Sequence, residues 1–224
     1  MSFSNLRPDD RDLHDILDST PSRVSRGRRG MTGGVRQSSP SGLRPTLPAW
    51  AVVTPGRVAH IERVAGLVSS WAEQMGIPDS ERNRWLRAVW LHDAVRDATA
   101  EDLARWAPSA EGPVSLRHGP ASAALAKAGG EIDRGVLDAV RYHSLGLAEW
   151  DMVGRVLYCA DFLEPGREHE REWRAELARR FPRDAGGVLR EVLRARVSRL
   201  ISSGWPLPEP TVRFWNSLAF RASA

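Results

Sequence analysis

Trp90-Leu91-His92-Asp93 sets a histidine beside an aspartate within an apolar helical run. Adjacent helical residues lie about 100° apart, so the two side chains splay over one point. An imidazole nitrogen next to a carboxylate oxygen is a ligand pair that divalent iron, manganese or zinc accepts. One such pair arises by chance in many chains, and the remaining histidines give this one its weight. Besides His14 near the N-terminus, which reads as a spectator, the chain has His60, His92, His118, His143 and His169. A further carboxylate follows in Tyr158-Cys159-Ala160-Asp161.

Each candidate also has an ordinary structural reading. His60 sits at the edge of an apolar stripe, where a hydrogen-bonded core histidine is common. His118 precedes Gly119-Pro120 at a helix start, where the helix dipole favours a neutral imidazole or a bound anion. His143 ends a helix, where the same dipole favours an imidazolium cap. Asp161 falls late in an apolar helix, and a carboxylate there needs a partner. Taken together these readings require several unrelated polar placements in apolar helices. One shared metal site accounts for most of them.

The elements that must hold these residues are helices. Thr54-Pro55 is an N-cap followed by proline at the first helical position. From there Val58, Ile61, Val64, Ala65, Val68, Trp71 and Met75 form one buried stripe as far as Met75-Gly76. Asp79 or Ser80 is the expected cap of the next helix, which carries Trp85, Leu86, Val89 and Trp90 into His92-Asp93. Thr99 starts a short helix that stops at Pro108. Gly119-Pro120 opens another, closed by Gly129-Gly130. Asp133 caps a helix that runs to His143, and a further one covers about 150–163 until Pro165-Gly166 breaks it. Helical patterns follow over 170–181, 185–202 and 212–220, with a proline-rich connector from Pro206 to Pro210. No alternating strand pattern of any length appears, so the expectation is an all-α helical bundle without internal repeats. Residues 1–45, rich in Ser, Gly, Pro and Arg, read as a disordered tail, and Arg23, Arg26, Arg28 and Arg29 read as solvated within it. The expected organisation is this tail, a domain over 46–205, and a connector and short helix over 206–224 packing on it.

At 224 residues one compact domain is the natural prior. No apolar stretch approaches the roughly 20 residues that span a bilayer, and no membrane association is expected. The N-terminus is polar and acidic rather than a secretory signal. The single Cys159 excludes an intramolecular disulfide and suggests a reducing, cytoplasmic compartment; it reads as a packed core residue. The pI near 10.1 exceeds what a net charge of +4 suggests, because the basic residues are almost all arginine. That small charge on a mixed surface does not argue for DNA or RNA. Of the nine tryptophans, Trp71, Trp85 and Trp90 stand at helical spacing and read as core rather than as platforms for a base.

The order His60, His92-Asp93, Asp161 resembles the HD-domain metal-dependent phosphohydrolases. The stretches WLHDAVRD, LRHGPASA, RYHSLG and YCADFLEPGRE are similar to the YqeK-type branch, the bacterial symmetrical diadenosine tetraphosphate hydrolases. The resemblance covers 54–168, and its most discriminating part is ADFLEPGR. It implies an HD-domain bundle with two divalent metal ions, expected to be iron, with manganese, zinc or nickel as alternatives. His60, His92, Asp93 and Asp161 would hold one metal, and Asp93 would bridge to a second completed by His118 and His143. The implied reaction is attack of a metal-bound hydroxide on phosphorus, cleaving diadenosine tetraphosphate to two ADP. Arg96 and Arg167 are candidate phosphate clamps, and Asp97 could orient the attacking water or hold Arg96. Arg96 stands where that branch often has lysine. Ser144-Leu145 replaces its usual two threonines, leaving the Ser144 hydroxyl as a substrate contact.

The expected partner is therefore a small-molecule nucleotide, and the sequence is compatible with a homodimer. One alternative is the same chemistry on another nucleotide, such as a nucleoside monophosphate. A reading from another class is a nucleotide-binding regulator without turnover, but every metal-ligand position of the motif is filled.

Overall fold

Nine α-helices and one 3-10 turn (Val114–Leu116) follow one another, with no strand, among residues 46–219, which the computed structural model describes. The helices are α1 (Pro55–Gln74), α2 (Asp79–His92), α3 (Ala100–Trp106), α4 (His118–Ala128), α5 (Arg134–Tyr142), α6 (Met152–Leu163), α7 (Arg171–Arg180), α8 (Ala185–Ser202) and α9 (Glu209–Ala219). The all-α expectation holds. The expected tail with its arginine block and His14, and the expected last helical residue Phe220, lie outside the described residues. Among the described residues no helix is long and apolar enough to cross a membrane.

Side-chain caps start most of these helices. The Thr54 hydroxyl accepts the Arg57 N–H at α1, with Pro55 behind it. Thr99 accepts from Asp102, Asp133 from Gly135 and Val136, Asp151 from Val153, and Asp184 from Gly187. Three starts differ from the sequence reading. The last helix, α9, begins at Glu209 inside the expected 206–210 connector rather than at Val212, because Pro210 falls in its first turn, where proline's missing N–H costs nothing. At α2 neither Asp79 nor Ser80 caps: Pro78 is the N-cap, its carbonyl accepts the Arg82 N–H, and Asp79 lies inside the first turn. There its carboxylate, with that of Glu81, faces the positive end of the helix dipole instead. At α4 the helix begins at His118, one residue before Gly119, because the 3-10 turn delivers the chain already coiled.

Helix α6 is the axis of the bundle. Ten of its twelve residues are buried, as a helix apolar on every side requires. It packs against α1, α2, α5, α7 and α8. Cys159 is fully buried on it, and burial pushes its thiol well above the usual range. The Trp71 ring stacks on Phe181 at 3.9 Å, and its Nε1 donates to the Ala178 carbonyl at 2.9 Å, tying α1 to α7. Trp85 is buried as expected, while Trp90 is only partly so. Helix α9 docks through Phe214, whose ring meets Trp150 at 5.3 Å and Tyr158 at 5.6 Å. Gly146 lies beneath that ring with φ +87°; a Cβ there would sit 2.3 Å from Phe214, so this contact depends on glycine.

Candidate metal centre

Five helices, α1, α2, α4, α5 and α6, bring their polar residues to one buried point. His60 comes from α1, His92 and Asp93 from the end of α2, His118 from the first residue of α4, and His143 from the cap of α5. Asp161 comes from the last turn of α6. The six lie between 0% and 5% exposed. His92 is the last helical residue rather than mid-helix, and Asp93 is the C-cap with φ −111°. The splay of this pair therefore comes from the chain leaving the helix. Close approach of α4 to α5 sets the other side, where a Cβ on Gly119 would lie 2.8 Å from the Arg141 carbonyl.

Asp93 is central to the arrangement. Its Oδ2 is 3.8 Å from His60 Nε2 and 3.6 Å from His92 Nε2. Its Oδ1 is 3.3 Å from His118 Nε2 and 3.6 Å from His143 Nε2. Each oxygen thus faces its own pair of histidines. Two groups, His60 with His92 and Asp93, and Asp93 with His118 and His143, each have the spacing to hold one ion. Asp161 Oδ1 stands 3.3 Å from His60 Nε2, beside the first group.

The tautomers show that these residues fit a divalent cation. His92 Nδ1 lies 2.6 Å from the Val89 carbonyl, His118 Nδ1 2.8 Å from that of Ser115, and His143 Nδ1 2.8 Å from that of Val140. Each carbonyl is three residues earlier and can only accept, so each Nδ1 carries the proton and each Nε2 presents a lone pair. His60 Nδ1 is 3.2 Å from Glu164 Oε1, the same arrangement with a carboxylate. His118 Nε2 and His143 Nε2, both lone pairs in these tautomers, are 3.0 Å apart, a spacing that suits a shared cation or proton. His60 Nε2 and His92 Nε2 are buried with no hydrogen-bond partner. Inward lone pairs, backed by hydrogen bonds on the far nitrogen, are what metal ligation needs.

Charge around the ligands follows their burial. Burial lowers His92 to about 4, and burial with the nearby Arg96 cation lowers His118 to about 3, so both are neutral donors at pH 7. Burial would also lower His60, but Asp161, Glu164 and Asp93 together outweigh it and raise it to about 9. Burial opposes ionisation of Asp93, yet Arg57, His92 and the other facing imidazoles hold it well below the usual carboxylate range. In metal-free protein, protonated His60 contributes stability that is complete below its unfolded value near 6.5 and lost as pH rises through about 9. Neutral His92 and His118 contribute stability present above about 6.5 and lost as pH falls toward 4. The thermal midpoint of chelator-treated protein is therefore expected to peak near pH 6.5. A His60→Gln variant should lack the alkaline decline; a wild-type midpoint flat from pH 6 to 9.5 would contradict the His60 assignment.

The remaining expected site residues are placed as follows. Arg167 is only 4% exposed, and its Nη2 lies 2.9 Å from Asp161 Oδ1. Arg96 is half-buried one turn past Asp93, close enough to act on His118. Asp97 is exposed and accepts the Thr54 N–H at 2.6 Å, tying its loop to the start of α1. Ser144 follows His143, with its carbonyl 3.4 Å from Arg196 Nη1. His169 lies away from the cluster, exposed beside Glu170.

Four further residues bear on the centre that the sequence reading missed. Arg57 Nη1 is 2.7 Å from Asp93 Oδ2; its signal was its place one turn before His60. Glu164 is 2% exposed and joins His60 Nδ1 to Arg63, whose Nε is 2.6 Å from Oε2. Arg196, 2% exposed, reaches from α8 to place Nη2 2.9 Å from Asp161 Oδ2. Its signal was an arginine on the buried face that carries Val192, Leu193, Val197 and Leu200.

With this geometry in place, comparison with known proteins is informative. The chain is 28% identical over 123 residues to the symmetrical bis(5'-nucleosyl)-tetraphosphatase of Bacillus subtilis (strain 168), covering 51% of this chain and 64% of that protein's length. Among solved structures it resembles a predicted HD superfamily hydrolase involved in NAD metabolism from Clostridium acetobutylicum. That match has a TM-score of 0.66 and 24% identity, and covers 75% of this chain and 92% of the other. This second likeness speaks to the fold. The family model described as HD domain matches residues 57–168, half of the chain, a span that runs from Arg57 past Asp161 and Arg167, and the chain belongs to the HD domain family.

Proposed function

We propose that the protein is a dinuclear-metal phosphohydrolase that cleaves diadenosine tetraphosphate symmetrically to two ADP. The observation that carries the reading is Asp93, with one oxygen facing His60 and His92 and the other facing His118 and His143. A carboxylate so placed suits a bridge between two ions, as phosphoryl-transfer sites use. Bound divalent ions would supply Lewis acidity, activating water and offsetting phosphate charge. His60, His92, Asp93 and Asp161 would hold one, and Asp93, His118 and His143 the other. Iron is the expected ion, while imidazole and carboxylate donors also suit manganese, zinc and nickel.

The substrate class is supported by charge and by the Bacillus subtilis relative. Four arginines, Arg57, Arg63, Arg167 and Arg196, face three carboxylates, Asp93, Asp161 and Glu164. The protein thus brings an excess of positive groups before any metal is counted, which favours a polyphosphate over a monophosphate. In this reading Arg96 and the Ser144 hydroxyl contact the phosphates. Arg167, engaged with Asp161, adds a fixed positive charge at the phosphate end of the site. Asp97 orients water at the rim. Water adds to the second phosphorus of the chain, the bond from that phosphorus to the central bridging oxygen breaks, and that oxygen leaves with the second ADP.

Product analysis tests the reading. Purified protein supplied with ferrous iron or manganese under reducing conditions is incubated with diadenosine tetraphosphate, and the nucleotides are separated by anion exchange. ADP as sole product is expected. ATP with AMP would mean that a different phosphorus is attacked. No turnover by metal-loaded protein would overturn the assignment and direct the assay to nucleoside monophosphates.

A further inference from the structure

His60 differs from the other three candidate histidines in what holds its far nitrogen. His92, His118 and His143 stand at the ends of their segments, and each finds a carbonyl three residues earlier. Val89 and Val140 are among the last four residues of α2 and α5, whose carbonyls have no partner further along the helix. His60 lies inside α1, where the carbonyls of Gly56 and Arg57 are used by the helix itself. Its acceptor comes from 104 positions away: Glu164, the C-cap of α6, whose Oε1 is 3.2 Å from Nδ1. Asp161 Oδ1, one turn earlier on α6, is 3.3 Å from Nε2, so two carboxylates grip the ring from opposite sides. Asp161 alone would draw the ring proton to Nε2, the nitrogen an ion requires. Glu164 draws it to Nδ1.

Glu164 is itself fixed at both oxygens. Arg63, one turn after His60 on α1, places Nε 2.6 Å from Oε2 and Nη2 3.3 Å from Oε1. The Gly166 N–H donates to Oε2 at 2.6 Å, and Arg167 Nε lies 3.5 Å from Oε1. A Cβ on Gly166 would sit 2.3 Å from Arg63 Nε, so glycine lets the turn after Glu164 close on that guanidinium as it stands.

We propose that Glu164 is a positioning residue of the centre, setting the His60 tautomer and offsetting charge on the His60–His92 side and on that side alone; the inference rests on the metal-centre reading above. Removing it would leave Arg57, Arg63, Arg167 and Arg196 against Asp93 and Asp161 only, a field that opposes a divalent cation. The His118 and His143 rings are fastened by backbone carbonyls instead.

Manganese titrations of metal-stripped full-length protein, with the free ion read by electron paramagnetic resonance, test this in two backgrounds that each keep one side. In His118→Ala, which keeps the His60 side, adding Glu164→Gln is expected to weaken the remaining ion about 10–100-fold, the scale for groups that orient a ligand. In His60→Ala, which keeps the other side, the same change should shift affinity by less than about twofold, as for independent sites. The amide keeps the size of the side chain and one acceptor, so a role in packing alone would leave both affinities unmoved. Arg63→Gln, at a half-buried position, should weaken the His60-side ion about three- to tenfold, since Gly166 and Arg167 still hold the carboxylate. It is read by the same comparison if Glu164→Gln does not fold. No loss in the His118→Ala background, or an equal loss in both backgrounds, would overturn the proposal. The two readings fail separately. Side-selective weakening without turnover of diadenosine tetraphosphate removes the hydrolase and keeps the positioning role. Turnover by protein whose ion affinities ignore Glu164 does the reverse.

Discussion

Asp93→Asn is expected to reduce turnover of diadenosine tetraphosphate by about a thousandfold or more, the scale of removing a principal electrostatic stabiliser from a phosphoryl-transfer site. The amide keeps the shape of the carboxylate but presents one oxygen in place of two and no charge. One histidine pair, either His60 with His92 or His118 with His143, then faces a nitrogen that donates where a lone pair is needed. The Arg57 guanidinium loses its anion as well. Metal content by inductively coupled plasma mass spectrometry should fall from two ions per chain to one or fewer. His118→Ala is the graded control, since it disturbs one group and spares the other, and should stop at one ion. Retention of two ions by Asp93→Asn, or of more than a tenth of wild-type turnover, would refute the shared-carboxylate arrangement.

Arg196→Met should produce the second-largest effect, although Arg196 stands on α8, outside the helices that supply the candidate ligands. Its guanidinium holds Asp161 Oδ2 while Arg167 holds Oδ1, and it lies over the Tyr158 ring at 4.4 Å. Methionine refills the apolar space and leaves half of a buried carboxylate without its cation. Breaking one side of a buried ion pair costs on the order of 3–5 kcal/mol. Here Arg167 still compensates one oxygen, so the lower end is expected in metal-free protein. A bound cation beside Asp161 would offset part of that loss, so the fall in thermal midpoint should be larger without metal than with it. Metal affinity should weaken about 10–100-fold, as for other groups that orient a ligand through a hydrogen bond. An unchanged metal affinity would mean that Arg196 serves packing alone.

Most of the helical frame was legible from caps and stripes, because Thr54-Pro55, Thr99, Asp133 and the apolar run of α6 act within a few residues of themselves. The six candidate ligands were legible for a related reason: a buried imidazole or carboxylate in an apolar helix is a local anomaly. Asp161 shows where that reasoning ends. The sequence showed that it needed a partner, and the structure supplies two arginines besides the facing His60. Arg196 lies 35 positions away on another helix, and such a pairing exists only once α8 has packed on α6. The missed start of α2 was a local misreading, because an acidic residue inside a first turn and one capping it look alike in sequence.

His92, His118 and His143 are each fastened to the carbonyl three residues earlier in their own segment. Their aim is thus set by contacts local to each segment rather than by the identity of the ion they would hold. Exchange of one divalent ion for another would then leave these three rings fastened as they are, the incoming ion shedding its water and the outgoing one regaining it. Which ion occupies the protein in the cell becomes a matter of supply and of dehydration rate rather than of folding.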